Sequence, residues 1–571
     1  MTSAILRKAR HVLDDPVLRR WLLRRIAGLE KSPPKFTTGA PPYLGRPSAL
    51  NAEKWSPRWT GRASAQRFRS VDGPVKIDLP GLSVDVSSDN PGALFDRDYP
   101  DLETLLAAHR FAWVPLAGPG VDAGWVNAIW EAWIARYNTE RNGWPWHAYT
   151  AAERAINIID FADRFGLPGN REDSVQSLAG HAETIRNNLE YFGEHYTSNH
   201  LSNNGRGLLR IGVALGIEEY AEDGAKILIA EAGRIFGRSG LLNEGSSHYH
   251  LLVTRNYIDA WLAADKAGIE HAPILEDIAE RAVAAVSGLC LPGGMPLIGD
   301  ISPDAPPAYF ALLTGAETDD RRWPSMMNEE YRIAVTDLVS RVTPVSPDRL
   351  SEDGWHRFGK DDWLALAFVP PDGWPPMPGH GHQDLGSFEL HDGISEVIVD
   401  PGRGSYADPE YASAGVHSGV MIDGQEPAPV NRPYYDDAFR RRVVPQMPEF
   451  ERTRTGRVLR SFGFARVRGI EKFERQWRFK GGAVEILDTI QGSGKRRIDR
   501  RYVTSTDVEI SDGFALLSAN GRRWRLRAEV TPTVKPATRW MAYGESRPGS
   551  VITFGQTEKL PFEGKTVLER L

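Results

Sequence analysis

The chain has 571 residues, of which 41% are hydrophobic and 25% are charged, with a formal net charge of −6 and a pI near 6.2. This length predicts at least two domains with sizeable cores, and the acidic balance argues against nucleic acid as the main partner, which would require a basic face. A single cysteine, Cys290, excludes an intrachain disulfide and a cysteine-based zinc cluster.

Residues 1–60 form the first predicted unit. About residues 3–29 place apolar side chains at helical spacing among arginines, and charged residues interrupt every apolar run, so we expect no signal peptide. We expect this basic amphipathic segment to dock on its own protein. Contact with an anionic membrane surface or with a secretion complex is the alternative. Residues 31–60 are a Pro-rich connector. Without an apolar run of about 20 residues, we expect a cytoplasmic protein, with a periplasmic or membrane-peripheral location as the alternative.

Residues 61–345 form the second predicted unit, which is helical. From about residue 100, apolar positions recur at intervals of three and four, as in Leu208, Ile211 and Leu215. Short loops of Gly, Asn and Pro separate these patterns. Successive helices of this kind predict an (α/α) toroid or solenoid, although no repeat of fixed period is visible.

Residues 346–571 form the third predicted unit, which is rich in strands. Short alternating runs, such as Trp363–Val369 and Val484–Leu487, are separated by Gly, Asp and Asn turns. This pattern predicts an antiparallel β-sandwich. The chain is therefore an α+β multidomain protein, and we expect a substrate site at the junction of its two halves.

Two histidines and an aspartate lie at alternate positions in residues 379–384, just before a strand-like run at Ser387–Leu390. In an extended segment, His380, His382 and Asp384 would share one face. Burying three titratable groups is costly unless each has a partner. The segment therefore predicts a proton-transfer or metal site, with a solvated turn as the alternative.

The strand pairing after this segment depends on a turn. If residues 391–393 form a three-residue loop with Gly393 in the left-handed conformation, Leu390 pairs with Ile394 and Asp400 lies opposite Asp384. A two-residue loop would reverse that parity. A further histidine, His417, follows in the sequence. One carboxylate with two imidazoles, such as Asp400 with His382 and His417, suits zinc. A structural hydrogen-bond network is the alternative.

Two segments of the helical half carry further candidates. Asn199, His200 and Arg206 offer amide, imidazole and guanidinium groups that grip a carboxylate, although Asn and Ser also cap helices. Tyr249 stands between two histidines and would act as an acid or a base if nearby cations lowered its pKa. A structural tyrosine with a satisfied hydroxyl is the alternative.

Together these segments resemble the heparinase II/III superfamily of polysaccharide lyases, in the family's order. The matching segments are Trp146–Asn157, Asn199-His200, Glu244–Tyr249, Gly293–Asp300, Gly379–Phe388 and Val399–His417. The resemblance implies an (α/α) toroid followed by a β-sandwich, and cleavage of uronate-containing polysaccharides by β-elimination. It implies no organic cofactor.

The resemblance also implies roles for single residues. Asn199 would offset the uronate carboxylate, and Tyr249 would serve as base and acid on one side of the sugar. His200 or His380 would serve an epimer that presents its proton from the other side. The substrate-binding residues that the resemblance implies are Trp146, Tyr149, Arg154, Asn157, Arg206 and Glu244.

A metal site follows from the same resemblance. His382, Asp400 and His417 match positions that hold one structural zinc in several relatives, where the ion would brace the sandwich wall. The dipeptide after the third histidine, Ser418-Gly419, departs from the Asn-Thr that relatives often have.

Two other functions are open at this stage. A toroid glycoside hydrolase would need a carboxylic acid pair, for which Glu244 and Asp300 are the candidates. A non-catalytic glycan-binding or exopolysaccharide-assembly protein would need neither. For the lyase, we expect an acidic polysaccharide as the partner, and a bacterial exopolysaccharide as its source.

Overall fold

The computed structural model describes residues 15–29, 38–45, 55–59, 68–194, 196–315, 323–375, 379–432 and 435–571. Helices dominate as far as residue 351 and antiparallel strands follow, so the predicted helical and β halves are confirmed. None of the helices in these ranges is long and apolar enough to cross a membrane. The α-helices are α1 Pro16–Ile26, α2 Leu102–Arg110, α3 Trp113–Ala117, α4 Ala123–Tyr137, α5 Ala148–Phe165, α6 Arg171–Asn187, α7 Asn199–Leu215, α8 Glu218–Ile235, α9 Ser247–Lys266, α10 Ala272–Leu289, α11 Ala311–Thr314, α12 Glu329–Arg341, α13 Pro347–Ser351 and α14 Asp437–Val443.

Helices α5, α7 and α9 line the inside of the toroid and run in the same direction. Their first turns meet, since the rings of Tyr149 and His200 lie 4.6 Å apart. Their middle turns meet as well, since Arg206 bonds both Glu153 and Asp259. The N-terminal ends of the three helices therefore open on one side of the ring.

Close packing of α7 against α8 depends on glycine. A Cβ at Gly224 would lie 2.4 Å from the backbone nitrogen of Leu209, and a Cβ at Gly212 would lie 2.4 Å from that of Ala221. Because the clashing atoms are backbone, no side-chain movement would relieve them. These glycines let the outer helix seat directly on the inner one.

The β half contains three antiparallel sheets around a common core of Trp, Phe, Leu, Ile and Val side chains. The strands are β3 Trp355–Lys360, β4 Trp363–Phe368, β5 Glu389–Asp392, β6 Ser395–Ile398, β7 Val420–Ile422, β8 Glu449–Arg452, β9 Gly456–Ser461, β10 Ile470–Lys480, β11 Ala483–Gly492, β12 Lys495–Thr504, β13 Asp507–Ser511, β14 Phe514–Ala519, β15 Arg522–Arg527, β16 Thr533–Ala542, β17 Glu545–Lys559 and β18 Phe562–Arg570. The sheet orders are β3-β4-β5-β6, β16-β17-β12-β7 and β13-β14-β15-β18-β11-β10-β9-β8.

The turn between β5 and β6 is the two-residue alternative, so the pairing expected for a three-residue loop does not form. Asp392 pairs with Ser395 across a two-residue turn, and a register shift after Leu390 pairs that residue with Ile398 instead of Ile394. Residues 379–388 also form no strand, so Asp384 has no partner in a ladder. Gly393 does adopt the left-handed conformation, with φ of 57°. The two-residue turn forms instead of the three-residue loop because Gly393 and Ile394 are enough to reverse the chain.

A hairpin that the sequence reading missed lies within the predicted helical unit. Strands β1 (Pro74–Leu79) and β2 (Leu82–Ser87) pair in register. The turn at Gly81 touches Gly544, between β16 and β17. The hairpin thus connects the helical half to the sandwich. The limits predicted for the three units stay predictions.

Helix α1 docks on the β half. Asp15 caps its first turn, and the same carboxylate forms a buried 2.6 Å ion pair with Arg466. Trp21 packs on the rings of Tyr435 and Phe439, at centroid distances of 5.3 and 5.6 Å. Docking is therefore confirmed for residues 15–29. Residues 3–14 and most of the Pro-rich connector lie outside the described ranges.

Replacing Trp21 with alanine should lower the free energy of unfolding by about 3–5 kcal/mol, because it empties a buried aromatic site. Denaturant unfolding measures this change. Leu23→Ala on the same helix is the control: its side chain is 62% exposed, so we expect a change within about 0.5 kcal/mol. Equal, small effects in both variants would show that α1 does not dock in solution.

Candidate functional site

The first turns of α5, α7 and α9 face a loop of the β half and form a cleft. They carry Tyr149, Asn199, His200 and Tyr249. Ser198 caps α7 and Ser246 caps α9. Helix N-termini carry partial positive charge and free N–H groups. An anionic ligand would therefore be favoured at this end of the ring.

Backbone hydrogen bonds join the loops around the cleft. His380 N–H donates to the Glu244 carbonyl at 2.8 Å, and Asp300 N–H donates to the His380 carbonyl at 2.9 Å. A Cβ at Gly299, which has φ of 87°, would lie 2.7 Å from the Gly245 carbonyl oxygen. Glycine therefore lets the helical and β loops approach closely enough to share one site.

Glu244 connects Asn199 to His380. Its buried carboxylate accepts from the Asn199 backbone N–H at 2.7 Å and from the Asn199 side-chain amide at 2.6 Å. The same Oε2 that accepts from the side-chain amide lies 3.6 Å from His380 Nε2. An amide nitrogen carries two protons, so Asn199 keeps one for a ligand.

Asp300 holds three cationic or donor groups at the base of the cleft. It accepts from His380 Nδ1 at 3.1 Å, from His382 Nε2 at 3.0 Å and from Arg403 at 3.2 Å. Burial would raise the pKa of Asp300, but the hydrogen bonds from His380 and His382 hold it well below its ordinary value. An ionised Asp300 accepts the Nδ1 proton of His380, so in the neutral tautomer the lone pair lies on Nε2, beside Glu244 Oε2.

Tyr249 lies between His380 and Tyr406. Its ring stacks on the His380 imidazole with centroids 3.5 Å apart and planes at 7°, and its hydroxyl lies 2.5 Å from that of Tyr406. Burial raises the pKa of Tyr249 well above its ordinary value, and the Tyr406 hydroxyl only partly opposes this. The free protein therefore holds Tyr249 as a neutral phenol, suited to donating a proton.

The two histidines beside Tyr249 do not lower its pKa, contrary to the sequence expectation. His248 Nδ1 accepts from Ser302 N–H, and His250 bonds the backbone of Leu242 and Ala282. Burial lowers the pKa of His248 to about 3 and that of His250 to about 4. Both imidazoles are therefore neutral core groups that point away from the phenol.

His200 lies in the cleft with 40% of its side chain exposed. Its Nδ1 lies 2.7 Å from the Glu190 carboxylate, and its ring packs on Tyr149. Desolvation lowers the pKa of His200, but Glu190 more than offsets this and raises it above the ordinary value. Glu190 thus stabilises the cationic form of this imidazole relative to that of a free histidine.

His382, Asp400 and His417 converge below the cleft, with one ligand atom of each within 4.8 Å of the others. His382 Nδ1 is buried without a hydrogen-bond partner. His417 Nε2 donates to the Tyr411 carbonyl, so its Nδ1 faces Asp400 at 3.2 Å and Asp384 at 3.5 Å. A neutral imidazole would present a lone pair to two carboxylates there, so a cation is required, either a proton or a metal.

A second group of ligand-type residues is satisfied without a metal. His391 Nε2 donates to Glu389, and its Nδ1 accepts from Gly293 N–H. The third member, Glu396, forms a paired contact with Arg539. Neither nitrogen of His391 is left over, in contrast to His382.

Four residues expected to bind substrate lie elsewhere. Trp146 is a core side chain whose indole donates to the Tyr137 carbonyl. Arg154 is fully buried against Trp133 and donates to the His109 carbonyl. Asn157 and Arg206 line a cavity inside the ring and not the cleft. Tyr149, on the first turn of α5, does reach the cleft. The spacing of residues in the sequence could not distinguish this turn from the buried middle of the helix.

Sequence reasoning missed Glu190, Arg403 and Tyr406 in the cleft. Arg403 and Tyr406 follow Asp400 in the Gly-rich run Asp-Pro-Gly-Arg-Gly-Ser-Tyr, where polar residues in a tight loop were a usable signal. Glu190 follows α6 without any motif. Its role depends on a contact with His200 that only the packing of α6 beside α7 creates.

The His200 and Glu190 pair predicts a pH-dependent stability. Because folding raises the pKa of His200, the pair stabilises the fold fully below the unfolded value of about 6.5, and this contribution is lost as pH rises through the folded value. The difference in Tm between the wild type and His200→Gln should therefore be larger near pH 5.5 than near pH 9 (roughly one unit below and more than two above that value). A difference that stays constant, or grows towards pH 9, would contradict the pairing.

Comparisons with known proteins agree with this architecture. Residues 343–561 match the family model "Heparinase II/III-like, C-terminal". A heparinase III structure is similar at 14% identity and a TM-score of 0.58, covering 83% of this chain and 78% of that one. A mutant of the heparan sulfate lyase HepC from Pedobacter heparinus is similar at 14% identity and a TM-score of 0.54, covering 98% and 91%. No curated protein sequence matches the chain.

Proposed function

We propose that this chain, whose residues 343–561 form a heparinase II/III-like C-terminal domain and whose fold is that of heparinase III, is a polysaccharide lyase. It would cleave uronate-containing glycans by β-elimination. The observation that carries the proposal is the meeting of Asn199, Tyr249 and His380 at the junction of the two halves, in contact through Glu244 and through ring stacking.

Charge compensation is the first requirement of the reaction. The proton at C5 of a uronate becomes acidic enough to remove only when the charge of the neighbouring carboxylate is offset. The free Asn199 amide proton, the N-terminus of α7 and the cationic form of His200 would supply this compensation. Glu244 would keep the Asn199 amide aimed at the ligand.

Proton transfer is the second requirement. His380 Nε2 would take the C5 proton while Asp300 holds the other ring nitrogen. The electron pair would form the C4=C5 double bond, the C4–O4 bond would break, and the leaving oxygen would take the Tyr249 proton. This divides the two roles that the sequence assigned to Tyr249, because its raised pKa disfavours a phenolate in the free protein. Tyr406 would hold the resulting phenolate by donating to it.

The carboxylates of the cleft favour a lyase over a hydrolase. A hydrolase acid must be protonated before it acts, whereas hydrogen bonds from two histidines hold the pKa of Asp300 well below its ordinary value despite burial. Glu244 is occupied by two donors from Asn199. Both groups therefore support neighbouring residues and do not present themselves to a glycosidic oxygen.

The metal belongs to the same proposal. His382, Asp400 and His417 would hold one structural zinc, because His382 Nδ1 has no protein partner and His417 Nδ1 faces carboxylate. The ion would supply rigidity below the cleft and would not activate water. His382 would pass that rigidity to Asp300, and Asp300 would orient His380.

The chemistry of the cleft selects for a uronate and not for one biological source of the glycan. A bacterial exopolysaccharide remains the expected substrate, and any uronate polymer would satisfy the chemistry described. A panel of acidic glycans from bacterial, algal and animal sources would rank them by rate.

Tyr249→Phe should abolish formation of ultraviolet-absorbing unsaturated uronate from the best glycan of the panel, with a loss of about 10²–10⁴-fold, because it removes the proton donor. Tyr406→Phe is the matched control: it removes a hydroxyl from the same pair but leaves the donor, so we expect a smaller loss. New reducing ends without absorbance would favour a hydrolase. If Tyr249→Phe still binds the glycan and still supports the cellular function of the protein, a non-catalytic role would be favoured.

Elemental analysis of the purified protein should find about one zinc per chain, and His382→Gln should lose it. His391→Gln, in the group that needs no metal, should keep it. Removal of the metal by a chelator should also lower the Tm of the wild type. A protein that takes up no metal after exposure to zinc would contradict the assignment.

A further inference from the structure

A cavity of about 280 Å³ lies inside the helical ring, behind the cleft. Arg110 and Asp304 form the wall between the two, since they line the cavity and Asp304 accepts from the Tyr149 hydroxyl at 2.6 Å. Tyr149 contacts His200 on the cleft side. Arg255 also lines the cavity. It is six residues beyond Tyr249 on α9, so it lies about 9 Å farther along the helix from the cleft.

The cavity wall is a network of ion pairs in which each carboxylate is already occupied. Asp259 accepts from Arg206 at 2.6 Å and also from Arg210. Asp304 accepts from Arg110 at 2.7 Å with one oxygen and from Tyr149 with the other. Burying such charges is tolerated because each has a partner of opposite sign.

Arg255 is the exception in this wall. It is only 9% exposed, yet it forms no hydrogen bond or ion pair with any residue in the described ranges, and its Nε is buried without a partner. Its neighbour one turn along α9, Asp259, is taken by Arg206 and Arg210. The Tyr309 hydroxyl beside it, on a side chain 6% exposed, likewise has no hydrogen-bond partner there.

A guanidinium that makes no hydrogen bond at this depth is costly, even with Asp259 and Asp304 near enough to balance part of its charge. A carboxylate would satisfy it best, since the two oxygens match the planar fork of the guanidinium. We propose that the ring cavity is a second binding site, which takes a compact, hydroxylated monocarboxylate such as a single sugar acid, held by Arg255 and Tyr309.

The surroundings restrict the ligand to this class. The guanidinium of Arg255 compensates one negative charge, and a second charge would find no free guanidinium, because Arg110, Arg164 and Arg206 of the wall are engaged within the protein. The volume is at the lower limit of small-molecule pockets, about 300 Å³, which suits one sugar ring. Tyr331 and Trp323 add aromatic surface on which a sugar ring packs. The site does not depend on the proposed elimination reaction.

Calorimetric titration of the full-length protein with glucuronate tests the proposal. Wild type should bind glucuronate and not glucose, which lacks the carboxylate. Arg255→Met should weaken binding at least tenfold, or about 1.4 kcal/mol. Tyr309→Phe should weaken it less. His200→Gln should leave it unchanged, which separates this cavity from the cleft.

Arg255→Met should also change the Tm of the free protein, in the direction opposite to its effect on ligand binding. Removing a buried guanidinium whose hydrogen bonds are unmade should raise the Tm without ligand, whereas removing a hydrogen-bonded arginine would lower it. Arg281→Met is the control, because that side chain is 61% exposed in a surface pair with Asp277 and should change little. The proposal is overturned if wild type does not bind glucuronate, if Arg255→Met binds it as wild type does, if His200→Gln alone abolishes binding, or if Arg255→Met lowers the Tm of the free protein. Should Arg255→Met fail to fold, that result also counts against it, and Tyr309→Phe still reports on binding.

Discussion

The Asp300 carboxylate is the contact on which the cleft depends. It comes from the helical half, yet it accepts from His380, His382 and Arg403 of the β half. Each donor satisfies part of a charge that would otherwise be buried at high cost. The carboxylate therefore fixes how the two halves meet, and it accepts a hydrogen bond from His380, the histidine proposed as the base.

Shared hydrogen bonds also connect the cleft to the candidate metal group, which consists of His382, Asp400 and His417. His382 reaches Asp300 with one nitrogen and the metal group with the other. An ion there would fix the ring of His382, and through Asp300 it would fix His380. Rigidity below the cleft matters because a base placed about 1 Å away from its proton loses much of its effect.

The helical ring handles charge differently on its two sides. At the cleft, Glu190 raises the pKa of His200 and so favours a cation that faces the solvent. In the wall of the ring cavity, Arg206 is balanced by Glu153 and Asp259, whereas Arg255 forms no ion pair with any residue that the structure describes. The first arrangement suits a long anionic polymer lying across the ring, and the second suits a single small anion.

Sequence patterns were sufficient for the parts of the fold that repeat. Helical periodicity predicted the toroid and alternation predicted the sandwich, because burial acts on every turn and every strand. The resemblance to heparinase II/III proteins predicted that Asn199, Tyr249 and His380 share one site, and the structure places them side by side. Spacing could not show that Arg154 and Arg206 are spent on internal contacts, that β5 turns after two residues, or that Tyr406 reaches Tyr249 from a loop 157 residues away. Those outcomes depend on tertiary packing.

The most direct test of the account is the fate of the C5 proton. A uronate polymer deuterated at C5 would be digested with the wild-type protein, and the new chain ends would be examined by NMR. Elimination at this cleft predicts a C4=C5 double bond, loss of the C5 deuteron, and a slower reaction than with the protonated polymer. Saturated ends that retain the deuteron, formed at an unchanged rate, would contradict it.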